Sequence, residues 1–271
     1  MRVDVITGAQ MMPAMRAELA RFRHRVFVER LGWRVPDQRA ADAASRGEEA
    51  DEYDHEETVY VTLRGPGEEI VGCARLLPAT RRFLLKDHFQ YLVDDLPAAL
   101  SLGVPASIKR GANGVTCGSD GGSEHFSPDD TACASVWELS RFALSLPVAQ
   151  SHSAIQGARE LLRAAMFAAL ALGAKRLVGV TYVSLARLFV RLGVPTHRLG
   201  KCHRIDGRWV AAYRIDVDAI ALAALGLTCA ATPAADMTLP PGMPEMSGMP
   251  VSAPASIPDP RQRHMTSRMA L

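Results

Sequence analysis

The chain has 271 residues, 48% of them hydrophobic, and a formal net charge of +2. That length suits one large domain with additions or two small ones, with enough apolar residues for a sizeable core. The near-neutral balance argues against a dedicated nucleic-acid binder, so any basic patch must be local.

The five cysteines, Cys73, Cys117, Cys133, Cys202 and Cys229, form no CxxC pair. With no basic-then-apolar leader, reduced thiols in a cytoplasm are expected rather than a disulfide framework. The longest apolar runs, 164–172 and 219–227, fall short of the roughly 18 residues of a membrane span, so no membrane insertion is expected.

In chain order, residues 2–6 alternate as a short strand. A helix is expected over 13–31, with Pro13 near its start, Leu19, Phe22, Val26 and Phe27 at helical spacing, and Gly32 at its end. Residues 35–50 are small, polar and charged and read as a mobile loop, followed by the acidic run Asp51-Glu52-Tyr53-Asp54. Strands at 58–63 and 69–77 flank a Gly- and Pro-bearing turn and form a hairpin.

Residues 83–96 are expected to be mostly helical. Residues 103–134, rich in Gly, Ser and Asp, read as a flexible insertion. A strand follows at Val136-Trp137-Glu138-Leu139-Ser140-Arg141-Phe142. Regular alternation puts Glu138, Ser140 and Phe142 on one face and Trp137, Leu139 and Arg141 on the other.

Next come an amphipathic helix over 153–172, an apolar strand over 175–182 and a short helix over 184–192. A second hairpin, 196–205 with 208–215, turns through Asp206-Gly207. A last helix spans 218–227. The tail over 228–271, rich in Pro, Met, Ala and Ser, lacks a core pattern and is expected to be disordered. The domain is therefore placed at 1–227. The order of elements implies an α/β chain with one mixed, twisted sheet flanked by helices.

The ordered set Arg23-x3-Phe27-x5-Trp33, Asp51-x2-Asp54, Gly72-Cys73-Ala74-Arg75-Leu76-Leu77-Pro78 and Trp137-Glu138-Leu139-Ser140-Arg141-Phe142 resembles the acyl-homoserine-lactone synthases, the autoinducer synthases of bacterial quorum sensing. The resemblance covers about residues 1–224. It implies an N-acetyltransferase-like three-layer fold. It also implies a reaction joining the amine of S-adenosylmethionine to an acyl chain delivered by acyl carrier protein or acyl-CoA, then lactone closure with release of methylthioadenosine. S-Adenosylmethionine would be a co-substrate, and no cofactor or metal is expected.

The residues fit that chemistry. Arg23, Arg75 and Arg141 offer bidentate partners for a carboxylate or for the site's own acids. Asp51, Asp54 and Glu138 offer negative charge near an amine and a sulfonium. Glu138 is the leading general base. Ser140 reads as an orienting hydrogen-bonder, since no histidine partners it in the pattern. In the resemblance Phe27, Trp33 and Phe89 wall the S-adenosylmethionine site, and Thr181 falls where a hydroxyl accompanies preference for acyl chains oxidised at the third carbon. Leu146, Met166, Phe167, Leu170, Val180, Leu185 and Leu188 are candidate acyl-tunnel residues. Arg187 and Arg191, four apart, share a helix face suited to an acidic carrier protein, with Lys175, Arg176 or Arg163 nearby.

Each residue alone has a plainer reading, as a loop charge, a solvated arginine or core. Two other functions stay open: an acetyl-CoA-dependent N-acetyltransferase, whose pyrophosphate loop is not evident before residue 153, and a non-catalytic binding module.

Overall fold

The computed structural model describes residues 1–33, 42, 45–101, 135–145, 152–227 and 237–238. The expected insertion at 103–134, the first part of the 35–50 loop, Leu146 and nearly all of the tail lie outside them.

Strand β1 (Arg2–Thr7) leads to helix α1 (Pro13–Arg23), which continues as a π-helical segment, His24–Arg30. The single helix expected over 13–31 thus changes its hydrogen-bonding at His24, and the Leu31 N–H reaches back five residues to the Val26 carbonyl. The segment ends at Gly32, whose φ of 71° suits a residue without a Cβ.

The expected hairpin forms from β2 (Val59–Arg64) and β3 (Ile70–Pro78), both buried throughout. The helix expected over 83–96 is instead three short pieces: α2 (Leu84–His88), a 3-10 turn (Gln90–Leu92) and α3 (Leu96–Leu100). Pro97 sits in the first turn of α3, where its missing N–H costs no helical hydrogen bond.

Strand β4 (Val136–Leu144) precedes the long helix α4 (His152–Ala171), β5 (Arg176–Tyr182) and α5 (Val183–Arg191). Short β6 (His197–Arg198) and β7 (His203–Ile205) both pair with β8 (Arg208–Asp216), and α6 (Ala219–Ala224) follows, capped by the Asp218 carboxylate. Asp206 and Gly207 have φ of 47° and 76°, the pair of left-handed residues that a tight hairpin turn requires. In the tail, β9 (Met237–Thr238) pairs in parallel with β1.

The sheet runs β6-β8-β5-β4-β3-β2-β1-β9. Its pairs are antiparallel except β4 with β5 and β1 with β9. One face packs α4, with Leu161, Leu162, Met166 and Phe167, against Val61, Leu63, Trp137 and Leu177, and takes Phe189 of α5 and Leu222 of α6. The other face carries α1 with Phe22 and Phe27, and α2 with Leu85. The result is three layers, helices on both sides of a mixed sheet, as expected.

Two departures from regularity shape the site. β4 and β5 pair only at Val136–Glu138 with Arg176–Val178, and the ladder ends there. Gly179 sits where a Cβ would meet the Leu139 carbonyl oxygen at 2.4 Å, so no larger residue fits that approach. Between β3 and β4 the register slips: Arg75 opposes Ser140 while Cys73 opposes Ala143, leaving one extra residue on β4. Arg141 takes the strain, with φ of 52°.

Candidate active site

The bulge corrects the face assignment of the central motif. Ala143 packs with Phe27 and Cys73, whereas Phe142 packs with Phe189, their rings 5.1 Å apart, on the α4 side. Arg141 therefore joins Glu138 and Ser140, and Phe142 goes to the opposite face with Trp137 and Leu139. An unbulged strand would have done the reverse.

Around Arg141 the structure gathers three arginines and three carboxylates from four segments. Arg23 of α1 donates to Glu49 through Nε and to both Asp54 oxygens at 2.8 and 3.1 Å. Arg75 of β3 reaches both Asp51 oxygens at 2.6 and 2.9 Å, Asp54 at 2.9 Å, and Ser140 Oγ at 3.1 Å. Arg141 closes the ring, donating to Glu49 at 2.7 Å and to Asp51 at 2.7 Å. Tyr60 adds a hydroxyl to Asp54 at 2.8 Å. The charges balance, which is what lets the six groups stay buried.

The local electrostatics follow from burial against pairing. Burial alone would raise the Glu49 carboxyl, but Arg23 and Arg141 override it and hold it at about 2. Asp54 is likewise held well below the usual carboxylate range, Arg23 and Arg75 outweighing its burial. Burial pushes the Cys73 thiol, which donates to the Arg141 carbonyl, up to about 12.

A stability prediction follows from Glu49. Its folded pKa lies below the unfolded value of 4.5, so its ionisation stabilises the fold above that pH and the contribution is lost as pH falls towards 2. By pH 3 the loss is expected to reach about 2 kcal/mol. Urea unfolding between pH 6 and pH 3 should show this acid loss diminished in Glu49→Gln. An unchanged acid limb would remove Glu49 from the account.

Glu138 behaves oppositely. It is 2% exposed, and burial drives its pKa up to about 7 against the opposing pull of the Leu85 amide and of Arg75 and Arg141. The Leu85 N–H, in the first turn of α2, donates to its Oε2 at 2.9 Å. Glu138 is thus a carboxyl poised near neutral pH, beside Glu49 and Asp54, which are held well below it.

The aromatic wall is partly assembled. Phe27 and Trp33 lie 4.7 Å apart, centre to centre, with the Arg141 guanidinium 5.4 and 5.3 Å from their rings. The Trp33 indole N–H donates to the Tyr182 hydroxyl at 3.1 Å. Phe89 packs with Tyr182 in the cluster beside α2, away from the cluster holding Phe27.

The remaining expected residues sit elsewhere. Thr181 alternates with Val180 and Tyr182, which pack on the α2 side, so it falls on the α4 face with Leu177, opposite Glu138. Met166, Phe167, Leu170, Leu185 and Leu188 share that α4 face, whereas Val180 does not. Arg187 and Arg191 are both exposed on α5. Arg176 is not available for docking: it is buried, paired with Asp216 at 2.9 Å, and donates to the Ala99 and Ser101 carbonyls. Among the described residues no group of three His, Cys, Asp or Glu side chains converges to hold a metal ion, and no helix is long and apolar enough to cross a membrane.

Comparison with known proteins decides what this constellation belongs to. An acyl-homoserine-lactone synthase of Ralstonia solanacearum is 41% identical over 232 residues, covering 85% of this chain and 96% of its own. The chain belongs to the acyl-homoserine-lactone synthase family. Its residues 9–107 match the family described as autoinducer synthase. The acyl-homoserine-lactone synthase of Pseudomonas aeruginosa is 35% identical over 199 residues, 73% of this chain and 78% of its own. The crystal structure of TofI in a ternary complex with an inhibitor and MTA superposes with a TM-score of 0.62 at 38% identity, covering 85% of this chain and 99% of TofI. Membership in this acyltransferase family sets aside the acetyltransferase and binding-module alternatives.

The sequence reading of the site missed three groups. Glu49 lies in the polar 35–50 segment with no pattern to single it out, and with Asp51, Asp54 and Glu138 already set against three arginines the charge count gave no hint of it. Tyr60 looked like an ordinary strand residue. The Leu85 amide carries no side-chain signal at all.

Proposed function

We propose that the chain synthesises an N-acyl-L-homoserine lactone from S-adenosylmethionine and an acyl thioester. The observation that carries this reading is Glu138, a buried carboxyl poised at about 7, on the same strand and face as Arg141, which bridges the charge network to Phe27 and Trp33. Glu138, directly or through one water, takes the proton as the α-amine attacks the thioester carbonyl and the thiol departs. The substrate carboxylate then displaces sulfur at the γ-carbon, forming the lactone and releasing methylthioadenosine. The sulfonium is already a good leaving group, so this step needs chiefly positioning.

Arg23 and Arg75, with side chains 4% and 1% exposed, act as organisers that hold Asp54, Asp51 and Ser140 in place. Arg141, with Phe27 and Trp33, forms the wall on which S-adenosylmethionine rests, and Asp51, Asp54 and Phe89 complete its surroundings. The acyl chain passes between β4 and β5 beyond the close Leu139–Gly179 approach, where the two strands no longer pair, to reach Thr181 and the apolar α4 face. Acyl carrier protein is the proposed donor, docking on Arg187 and Arg191 in the cytoplasm. Acyl-CoA is the alternative.

The test is mass spectrometry of extracts from a host expressing the chain, beside an empty vector, followed by purified protein with S-adenosylmethionine and matched acyl-carrier and acyl-CoA donors. An acylated lactone is expected. Its absence across a range of chain lengths would overturn the reading. The donor assays separate the two sources, and Arg187→Ala/Arg191→Ala should raise KM for the carrier-bound donor more than for acyl-CoA.

The pH dependence is also determined. Glu138 must be ionised to act as base, and the substrate amine, with a reference pKa of roughly 7.7–8.0, must be neutral. kcat/KM is therefore expected to rise with pH from 6 through about 8. A flat profile over that range would exclude Glu138 as the base.

A further inference from the structure

The carboxylate loop and Glu138 are joined by a second connection, on the side of the site away from the arginines. Tyr53 lies between Asp51 and Asp54, is 3% exposed, and packs beside Leu85 and Phe83. Its hydroxyl donates to Asp87 Oδ2 at 3.0 Å, and Asp87 belongs to α2. Two residues earlier in α2, the Leu85 amide donates to Glu138. α2 has only five residues, and its own N-cap residue, Phe83, offers no side-chain cap. An isolated helix of that length does not hold its shape. Beyond the core packing of Leu85, its orientation is held by hydrogen bonds at each end, to Glu138 at the first turn and to Tyr53 at Asp87.

We propose that Tyr53 and Asp87 are positioning residues for acylation, their hydrogen bond holding α2 so that the Leu85 amide stays on the Glu138 carboxylate. This rests on the reading of Glu138 as the base. The groups facing Glu138 are the Leu85 amide from α2, Arg75 from β3, Arg141 from β4 and Asp51 from the loop. Those around the strut are Arg82, bound to Asp87 at 2.9 Å and to Glu52 at 2.8 Å, and His88, 3.6 Å from Glu52 with its ring edge-on to Tyr53. Glu52 thus adds two further links from the loop to α2, through Arg82 to Asp87 and directly to His88, but both run through exposed side chains, whereas Tyr53 is buried.

The mechanism has a sign. A hydrogen bond to the ionised carboxylate favours ionisation, so releasing the amide must move the Glu138 titration upwards. Removing the negative charge of Asp87 without moving α2 would move it downwards. The direction therefore separates a strut from simple electrostatics.

The experiment is infrared titration of full-length protein, reading the protonated-carboxyl C=O band that disappears in Glu138→Gln, alongside pH profiles of kcat. Tyr53→Phe, which changes no charge, and Asp87→Ala are each expected to shift the band's midpoint up by about one pH unit and the acid limb of kcat with it. Arg82→Gln, which leaves the Tyr53–Asp87 bond intact, should leave both near wild type. A midpoint unmoved in folded Tyr53→Phe, or lowered in Asp87→Ala, overturns the proposal. A midpoint that rises while the acid limb stays in place upholds the strut and removes Glu138 from the base role instead. Should Tyr53→Phe fail to fold, Asp87→Ala carries the test alone.

Discussion

Arg75→Met is expected to destabilise the folded chain by about 3–5 kcal/mol and to abolish lactone synthesis. Arg75 is the most enclosed of the network's cations, 1% exposed, and it binds Asp51, Asp54 and Ser140 at once. Methionine of similar length fills the space but leaves three carboxylates, Glu49, Asp51 and Asp54, against the two arginines Arg23 and Arg141, one negative charge in excess. The cost comes from that residual charge rather than from the lost attraction. Urea unfolding of wild type and variant at pH 7 checks the size of that cost, and mass spectrometry checks the loss of product. Arg75→Lys should fall between the two, since one ammonium cannot reproduce a fork that reaches three residues. A variant as stable as wild type at pH 7 would show that the network's acids do not depend on Arg75.

Glu138→Gln is expected to reduce kcat by about 10²–10⁴-fold while stabilising the protein at alkaline pH. The amide oxygen of glutamine can still accept from Leu85, so the local geometry should survive. Glu138 has a folded pKa raised from 4.5 to about 7. Its contribution to stability is therefore fully present below 4.5 and lost as pH rises through 7, leaving a standing penalty of about 3 kcal/mol above that. Neutral glutamine carries no such penalty. Thermal melts should show the variant gaining on wild type between pH 5 and pH 8, while mass spectrometry shows product sharply reduced at matched soluble protein. Product that persists would move the base role elsewhere without changing the family.

What was legible in the sequence depended on how local its cause was. The β2–β3 hairpin and the turn at Asp206-Gly207 were readable because their turn residues act over a few positions. Helix α4 was readable because its apolar period repeats over five turns. Arg23, Asp51, Asp54, Arg75, Glu138 and Arg141 were marked by their order along the chain, and the structure does bring them together. Their partnerships were not readable: Arg23 and Glu49 are 26 residues apart, Arg141 and Glu49 are 92 apart, and no periodicity encodes such a contact. The π-helical turn at His24 and the division of 83–96 into three pieces reflect tertiary packing overriding a smooth local pattern. Thr181 on the face opposite Glu138 needed the register of β5, which follows only once the sheet is assembled.

The bulge at Arg141 places a cost and a benefit on one residue. Its left-handed backbone, φ 52°, burdens an ordinary side chain by about 1–2 kcal/mol, and glycine or asparagine would bear it more easily. The same position supplies the guanidinium that joins Glu49, Asp51, Phe27 and Trp33. Glycine at 141 would relieve that backbone but leave Glu49 and Asp51 short of one positive charge, a larger cost, so the network itself keeps the strained arginine in place. Heat resistance and the shape of the site therefore hang on the same side chain, and selection for the first has no route that discards the second at this position.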